Sequence, residues 1–345
     1  PHKRPDHPHE PHKRPGNPDE PHKRPPIYTN KTIYELLSES KYTTKAFSII
    51  KDDEELSEFF KNTKANMTVF VPTDKAFESL PPHHPPHNAT DALSKEFLRK
   101  AVLYHTSPDP YDTRKLFFSK TIPSSLKSEG GIGKGNYQRL RISHQPFFGL
   151  RVNMLSKIIA GNIYATNGII HGIDHLIILP PYAQQLVGIL PTVFSTSALA
   201  LAKMELAGEP KLPEGPKTFF IPPNSAWRGL GYRVNAFLFS RFGEKHLAAL
   251  MKYHITHGKV VYTDYVIEPP KDGDEAKIED EGHYHTELDT FLGDAKLTVD
   301  IWRKGPWAKL VVGDKVPTML TDIITRDGVL HVPVRVLIPP RPKPD

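Results

Sequence analysis

The sequence contains no cysteine, and this absence excludes several kinds of site at once. A disulfide framework, a thiolate zinc site and a cysteine nucleophile all require a thiol. Long apolar runs are missing as well: none approaches the ~18 residues needed to span a bilayer, so no transmembrane segment is expected. The chain has 345 residues, 38% of them hydrophobic. That is enough to bury one large core or two cores of about 150 residues each.

Catalytic signatures are also scarce. There is no Gly-x-Ser-x-Gly elbow and no His-Glu-x-x-His helix. The glycine-rich stretch 130–135 contains Lys134, but no serine or threonine follows this lysine and no strand pattern ends just before it. We interpret the stretch as a mobile connection between strands. The sequence therefore predicts a protein that is not an enzyme and that requires no cofactor.

Positive charge is in slight excess. The net charge of +6 and the pI near 9.1 suit weak, diffuse attraction to acidic polysaccharide, anionic lipid or nucleic acid. Lysine and arginine are scattered among 39 acidic residues, however, and the sequence has no recognisable helix-turn-helix and no aromatic-interleaved basic strands. Nucleic acid is therefore not expected as a partner.

Proline is abundant, and much of it lies in a repeat arm, residues 1–26. The unit Pro-His-Lys-Arg-Pro starts at Pro1, Pro11 and Pro21, a strict period of ten residues. Proline fixes φ and removes amide donors, so we expect an extended, solvated, polyproline-like segment. Six basic residues against four acids give this arm a net charge of +2. We interpret it as a spacer and electrostatic tether.

The histidines of the arm offer a second interpretation. Neutral imidazoles are ligands for copper, nickel or zinc, so metal binding by the arm stays open as an alternative. The spacer is preferred because these histidines lack a rigid frame and adjacent cations disfavour a metal dication. The candidate ligands are His2, His7, His9, His12 and His22.

From Ile27 onward the chain shows patterns of helices and strands. Apolar spacing over 32–60 predicts two or three short helices, and 68–77 predicts a buried strand, a proline stop and a helix capped by threonine or aspartate. A helical stripe over 94–105 is expected to pack on the sheet. Asn167-Gly168 predicts a tight turn that feeds a final strand.

The same order of motifs recurs roughly 150 to 160 residues later. The segment 218–227 matches 68–77, and Tyr253-His254 ends a helix as Tyr104-His105 does. Asp327-Gly328 opens a second closing strand in the way that Asn167-Gly168 opens the first. Two copies of one α+β unit are the simplest explanation.

These motifs resemble the fasciclin domain family, whose signatures are Thr-x-Phe-x-Pro-Thr-Asn/Asp-x-Ala-Phe, a Tyr-His pair, and Asn-Gly-x-x-His-x-x-Asp-x-x-x-x-Pro. The first copy matches all three closely. In the second copy Asn224 and Trp227 replace Asp and Phe, and Pro333 and Val334 replace Ile and Asp of the closing strand. Any function that depends on that aspartate is in doubt in the second copy.

The resemblance covers nearly all of 27–340 and implies an α+β protein. We expect two tandem fasciclin-like domains, 27–181 and 182–340, each a β-wedge or sandwich with a bundle of short helices, between the arm and a polar tail, 341–345. The family is associated with cell adhesion, matrix contact and cell-surface or vacuolar proteins, and it has no common catalytic activity. A secreted or cell-surface adhesion protein is therefore expected, with the vacuole lumen as the alternative.

The resemblance also implies candidate partner-binding residues, because the Tyr-His region is linked to integrin binding in animal relatives. These residues are Tyr104, His105, Tyr253 and His254. The alternative is that they are helix-end residues with a buried ring and a satisfied hydrogen bond. The expected partner is a cell-surface or matrix protein or a polysaccharide.

Three further groups of residues are candidates for binding or modification. Trp302 and Trp307 flank a Lys-Gly-Pro turn and would stack on sugar rings if they are exposed, with hairpin packing as the alternative. Weak metal-ligand patterns occur at 83–87, and at 283–285 with His254 and His257. His171 and His331 match in position, and we interpret both as core histidines bonded to backbone, not as catalytic bases. The glycosylation sequons are Asn30, Asn66 and Asn88.

Overall fold

The computed structural model describes residues 27–79, 91–145, 149–206, 212–268 and 276–340. The repeat arm with its five candidate metal ligands, the segment 83–87, Asn88 and the C-terminal tail lie outside the described residues. The described residues form two bodies of mixed helices and strands, the first ending with the strand Gly168–Ile173 and the second beginning with the helix Ala183–Ile189.

The first body contains short helices and a sheet. Within the described residues its helices are α1 Ile33–Glu39, α2 Thr44–Lys51, α3 Glu54–Lys61, α4 Asp74–Glu78, α5 Asp91–Tyr104 and α6 Thr113–Phe118. Its strands are β1 Ile27–Tyr28, β2 Met67–Pro72, β3 Thr106–Ser107, β4 Thr121–Lys127, β5 Tyr137–Gln145, β6 Gly149–Val152, β7 Ser156–Ala165 and β8 Gly168–Ile173. The strands follow the order β3-β2-β8-β7-β6-β5-β4, and β1 pairs with β7.

The first helices form where the sequence predicted them. Thr32 begins α1 with a capping box, in which its hydroxyl accepts from the Glu35 amide while the Glu35 carboxylate accepts from the Thr32 amide. The cap predicted at residues 73–74 is different, because Thr73 makes no side-chain cap bond. The Asp74 carboxylate instead accepts from the Lys45 amide at the start of α2.

The central strands β2 and β8 are buried along their whole length. They run parallel, with Phe70 opposite His171, which explains why both read as continuous apolar runs. The predicted stripe of α5 packs only in part on the sheet: His105 is buried, whereas Phe97 is 51% exposed and Leu98 37%. The exposed part lies at Phe97 and Leu98, so the prediction was wrong there.

The second body repeats this order of elements and closes its main sheet. Its helices, within the described residues, are α7 Ala183–Ile189, α8 Pro191–Leu206, α9 Asn224–Gly229, α10 Tyr232–Leu238 and α11 Glu244–Tyr253. Its strands are β9 Lys217–Phe220, β10 Ile255–His257, β11 Val260–Val261, β12 Tyr265–Ile267, β13 Ala276–Lys277, β14 Glu281–Thr290, β15 Lys296–Lys304, β16 Trp307–Val312, β17 Val316–Thr325 and β18 Gly328–Pro333.

The main sheet of the second body is a closed barrel in the order β10-β14-β15-β16-β17-β18-β9, and β11-β12-β13 form a small separate sheet. Closure removes the free edges that an open sheet would expose. The barrel is filled by apolar side chains such as Phe220, Leu297 and Leu310, all almost completely buried. The described helices are all shorter than a bilayer crossing requires or too polar for one.

The predicted closing turns are confirmed in both bodies. Gly168 and Gly328 each begin a strand that runs antiparallel to the preceding one and parallel to the first buried strand of its body. A Cβ added to Gly168 would lie 2.1 Å from the carbonyl oxygen of Met67, and one added to Gly328 would lie 2.0 Å from that of Lys217. Only glycine permits this close approach of two backbones.

The domain interface and candidate binding surfaces

The first Tyr-His pair lies inside the first body. Tyr104 is fully buried, and its hydroxyl donates to the Arg139 carbonyl at 3.0 Å and accepts from the Asn153 amide group at 2.8 Å. The His105 ring donates through Nδ1 to the Ala101 carbonyl and accepts at Nε2 from the Ile177 amide. Burial raises the pKa of Tyr104 and lowers that of His105 to about 4, so both are neutral at physiological pH.

The second pair repeats this arrangement. His254 donates through Nδ1 to the Leu250 carbonyl and accepts at Nε2 from the Leu337 amide, and burial lowers its pKa to about 4. Tyr253 is 6% exposed and borders an open pocket of about 310 Å³ that Asp314 and Val334 also line. His105 and His254 thus hold the closing segments of their own domains, and Tyr104 bonds within the core of the first. Among the four predicted partner-binding residues, Tyr253 lines a surface pocket that a ligand could enter.

His171 and His331 occupy equivalent buried positions. Each ring stacks on the phenylalanine opposite it, with centroids 5.6 Å apart for Phe70 and His171 and 5.5 Å apart for Phe220 and His331. Each Nε2 donates to a backbone carbonyl at 2.8 Å, and each Nδ1 accepts a backbone amide at 3.3 Å. Burial lowers the pKa of both rings, that of His171 to about 4. Both nitrogens of each ring are therefore hydrogen-bonded within the core.

The acid that could have oriented His171 has other contacts. The Asp174 carboxylate accepts from the Lys157 amide at 2.7 Å and pairs with His175 at 2.8 Å. At the metal patterns, both ring nitrogens of His254 are already bonded. No group of three or more histidine, aspartate or glutamate side chains in the described ranges is arranged to hold a metal ion.

The two bodies meet at Asp264, a buried residue of the second body that bonds the first. Its carboxylate accepts from the Lys120 amide at 3.0 Å, from the Thr121 amide at 2.7 Å and from the Thr121 hydroxyl at 2.7 Å. A carboxylate that is 7% exposed costs free energy to desolvate, and these three donors offset that cost. The contact therefore joins the two bodies through a buried carboxylate.

The glycine-rich stretch 130–135 is part of the same interface. Gly131 packs so closely that an added Cβ would lie 2.2 Å from the Arg326 carbonyl oxygen, and Ile132 is fully buried among apolar residues of the second body. The Gln138 side chain donates to the Arg326 carbonyl at 3.1 Å. The interpretation of this stretch as a mobile connection was wrong, because its glycines permit contact with the second body.

One buried and two partly buried cations lie beside these contacts. The Arg139 guanidinium donates to the Thr121 hydroxyl and lies 4.0 Å from the ring centroid of Tyr265. Arg141 donates to the Thr321 carbonyl at 2.8 Å. Desolvation lowers the pKa of both Lys120 and Arg141 from their ordinary values.

A cleft of about 910 Å³ opens beside this interface and is lined by both bodies. Its volume lies within the range of ligand-binding sites. Its lining alternates aromatic rings with charged groups, an arrangement that can contact both apolar faces and polar edges of a bound molecule. The aromatic residues are Tyr111, Phe118, Tyr137 and Tyr265, and the charged residues are Asp109, Asp112, Arg114, Lys115, Arg139, Asp264, Asp280 and Arg303.

A family model for the fasciclin domain matches the chain twice, over residues 41–180 and 192–339. The chain belongs to the fasciclin domain family. The two bodies are accordingly two fasciclin domains, and the predicted α+β fold with tandem units is confirmed. Fasciclin domains occur in cell-adhesion proteins.

Two relatives and one solved structure are similar to the chain. Aurofusarin biosynthesis cluster protein S of Gibberella zeae is 26% identical over 332 residues, which cover 90% of this chain and 78% of the relative. Stabilin-2 of Mus musculus is 24% identical over 285 residues, which cover 79% of this chain but 10% of stabilin-2. A FAS1 domain pair from the insect cell adhesion molecule fasciclin I matches with a TM-score of 0.38 at 15% identity, covering 86% of this chain and 96% of that one.

An exposed face of the second fasciclin domain carries both candidate tryptophans. Trp302 is 42% exposed and Trp307 68% exposed, so neither side chain is buried by packing within the hairpin. The His283 ring stacks on Trp302 with centroids 4.7 Å apart, and the Asp300 carboxylate accepts from both His283 and His285 at 2.8 Å. These hydrogen bonds, that of His285 first, lower the pKa of Asp300.

The sequons differ in what the structure describes. Asn30 and Asn66 are both exposed, so a glycan on either would extend into solvent.

The interface residue Asp264 had no signal in the sequence. In the first domain its counterpart is Arg114, because Thr113 binds Asn162 as Thr263 binds Asp322, so comparing the repeats did not single it out.

Proposed function

We propose that the chain is a non-enzymatic adhesion protein that holds a cell-surface or matrix partner across its two docked fasciclin domains. The observation that carries the proposal is the cleft of about 910 Å³ lined by both domains. A partner bound there contacts Arg114 and Tyr137 of the first domain together with the exposed Asp280 of the second. Joint contact with two domains that are already joined through Asp264 limits the ordering cost of binding.

The hydrogen bonds that the buried histidines make support a non-catalytic role. His171 and His331 bond backbone on both ring nitrogens and stack on core phenylalanines, so neither is free to move a proton to a substrate. On this proposal the chain is secreted or at the cell surface, with the vacuole lumen as the alternative. N-glycans at Asn30 and Asn66, and at Asn88 outside the described residues, belong to the same proposal.

Attachment of the labelled full chain to intact source cells tests the proposal. We expect the double variant Arg114→Ala/Tyr137→Ala to reduce attachment at least tenfold, since both side chains are exposed at the cleft. The matched control is Tyr42→Ala, an aromatic residue of the first domain that is 77% exposed and lies outside the cleft. Unchanged attachment of the cleft variant, with Tyr42→Ala also unchanged, would contradict the proposed site.

A polysaccharide ligand is the second candidate, and the exposed tryptophans favour it. Indole rings stack on the apolar faces of sugars, and Trp307 is 68% exposed. Binding of the full chain to a glycan array, lost in Trp302→Ala and Trp307→Ala, would support this function. Loss in Arg114→Ala/Tyr137→Ala instead would place the sugar in the cleft.

Two further ligands remain as proposals with their own tests. The fungal relative is named for a biosynthesis cluster, so a small molecule made by such a cluster is a candidate occupant of the cleft. Such a molecule would be detected as a competitor of cell attachment.

Metal binding by the histidines of the repeat arm is tested by titrating the full chain with copper or zinc. If neither metal binds with a dissociation constant below about 10 µM, the hypothesis of metal binding by the arm is removed.

A further inference from the structure

A surface of the second fasciclin domain, away from the cleft, exposes large apolar side chains that a water-facing helix does not need. They lie on α10 and in the turn that follows it. Tyr232 is 87% exposed, Phe242 71%, Val234 46% and Phe237 44%. We refer to these four residues and the surrounding cations as the α10 surface. Aromatic residues this exposed in one short segment indicate a contact with something outside the chain.

The backbone of the α10 surface is held firmly by its neighbours. The Asn235 side chain donates to the Trp227 carbonyl at 2.7 Å, and Trp227 is itself buried. Leu238 is buried in the helical core of the domain. Gly243 packs against the end of α10 so closely that an added Cβ would lie 2.0 Å from the Phe237 carbonyl oxygen. The exposed rings are therefore presented by a fixed frame.

Cations surround these rings. Residues 228–246 contain four basic residues and one acid, Glu244, which gives a net charge of +3. Glu244 lies 3.8 Å from Lys203, so its charge is already paired. Within the described ranges the four basic residues form no ion pair, and all are exposed: Arg228 of α9, Arg233 of α10, Arg241 of the turn and Lys245 of α11.

Two rings contact positively charged or titratable groups directly. The Arg241 guanidinium lies 4.7 Å from the ring centroid of Phe242, and the His246 ring lies 5.3 Å from that of Phe237. The surface therefore combines apolar rings with positive charge and has a single, paired acid.

The sequence that joins α4 to α5 in the first domain differs in composition from α10 and its turn. Between α4 and α5 the sequence 79–90 is Ser-Leu-Pro-Pro-His-His-Pro-Pro-His-Asn-Ala-Thr, which contains no lysine, arginine or aromatic ring of the phenylalanine, tyrosine or tryptophan type. The basic and aromatic residues of α10 and its turn are thus not repeated in this stretch of the first domain's sequence.

We propose that the α10 surface docks the chain peripherally on an anionic lipid membrane. Its charge is complementary to acidic headgroups, and exposed tyrosine and phenylalanine side chains can enter the boundary between headgroups and acyl chains. At an interface between two proteins, such rings more commonly lie in a well-packed pocket that the two surfaces form together. The proposal is independent of the partner in the cleft, because the two sets of residues do not overlap.

Co-sedimentation of the full chain with vesicles tests the proposal. The vesicles contain phosphatidylcholine alone or phosphatidylcholine with 30% phosphatidylserine. We expect binding to the anionic vesicles, at least tenfold weaker binding to the neutral ones, and release as salt rises. Arg233→Glu/Arg241→Glu and, separately, Tyr232→Ser/Phe242→Ser should each weaken binding to anionic vesicles at least tenfold.

Controls separate this surface from other effects. The repeat arm, with its net charge of +2, is present in every variant, so its background is constant. Tyr42→Ser removes an equally exposed ring from the first domain and should leave binding unchanged. Because all the changed side chains are exposed, unchanged thermal unfolding confirms that each variant is folded. Vesicle binding that is absent in the wild type, or unchanged in both double variants, would overturn the proposal. Loss of cell attachment in these variants without wild-type vesicle binding would point instead to a protein partner and would also overturn it.

Discussion

In the first fasciclin domain Asn162 occupies a left-handed turn with φ of 59° and accepts the Thr113 amide at 2.9 Å. In the second domain Asp322 occupies the same turn with φ of 60° and accepts the Thr263 amide at 2.8 Å. Asparagine and aspartate are the residues that tolerate this conformation best apart from glycine. The two domains thus use different side chains to make the same buried bond.

The same comparison gives a different result at the surface. Asp264 docks the second domain on the first, whereas its counterpart, Arg114, lines the cleft. All three tryptophans of the sequence lie in the second domain, and the stretch 79–90 of the first domain contains no lysine, arginine, phenylalanine, tyrosine or tryptophan. Features shared by both domains therefore serve the fold, and features present in one domain are the better candidates for function.

The largest expected effect comes from the two glycines that begin the closing strands. Gly168→Ala and Gly328→Ala should each reduce the free energy of unfolding by about 3 kcal/mol or more, because the new Cβ would collide with a backbone oxygen. Chemical denaturation measures the loss. Gly188→Ala is the control: it lies in α7 with nothing within 4 Å and should be neutral or stabilising. A large loss at one closing glycine and none at the other would break the equivalence of the domains.

The next effect concerns the interface. Asp264→Ala leaves the Lys120 amide, the Thr121 amide and the Thr121 hydroxyl without their acceptor, which should cost about 3 kcal/mol. We also expect the calorimetric unfolding transition to separate into two, one for each domain. Asp109→Ala, at an exposed position of the cleft, should change stability by less than about 0.5 kcal/mol. A single unshifted transition in Asp264→Ala would show that the remaining contacts, such as those of Gln138 and Ile132, hold the domains together without Asp264.

Acidification should weaken both domains in the same pH window. Burial lowers the pKa of His105, His171 and His254 from 6.5 to about 4, so these rings are neutral when folded and gain a proton on unfolding. Their stabilisation is complete above pH 6.5 and is lost as pH falls toward about 4. Between pH 7 and pH 5 each such histidine should cost about 2 kcal/mol. A free energy of unfolding that stays constant over this interval would contradict the burial of these rings.

The smallest effect on stability is expected at the exposed tryptophans. Trp302→Ala removes a stacked contact with His283 on an outer face, so the free energy of unfolding should fall by less than about 1 kcal/mol. Phe220→Ala, which removes a fully buried ring from the same barrel, should cost about 3 to 5 kcal/mol. Similar losses from the two substitutions would assign Trp302 to the core and remove it from the candidate binding surfaces.

Much of the fold could be predicted from the sequence because its signals are local and occur twice. The buried strand before Pro72, the Asn167-Gly168 turn and the Tyr104-His105 helix end are each encoded within a few residues. Their recurrence in the second half made two domains the simplest prediction. The candidate Tyr-His residues were located correctly on helix ends, and the structure adds that they are buried.

The interface and the α10 surface could not be predicted in the same way. Asp264 bonds Thr121 across 143 positions of sequence, and nothing near either residue indicates the pairing. The stretch 130–135 has a composition typical of a flexible connection, and only its contact with Arg326 explains its glycines. The α10 surface centres on a seven-residue helix whose exposure depends on how α9 and α11 pack against it.

Amide hydrogen exchange at Lys120 and Thr121 in the full chain tests most directly that the two fasciclin domains form one docked unit. Both amides belong to the first domain, and both donate to the carboxylate of Asp264 in the second. We predict that they exchange as slowly as amides of the buried strand Met67–Pro72, and that Asp264→Ala accelerates the exchange at these two positions. Fast exchange at both amides in the wild type would show that the domains are not docked through Asp264 and would remove the basis for a shared cleft.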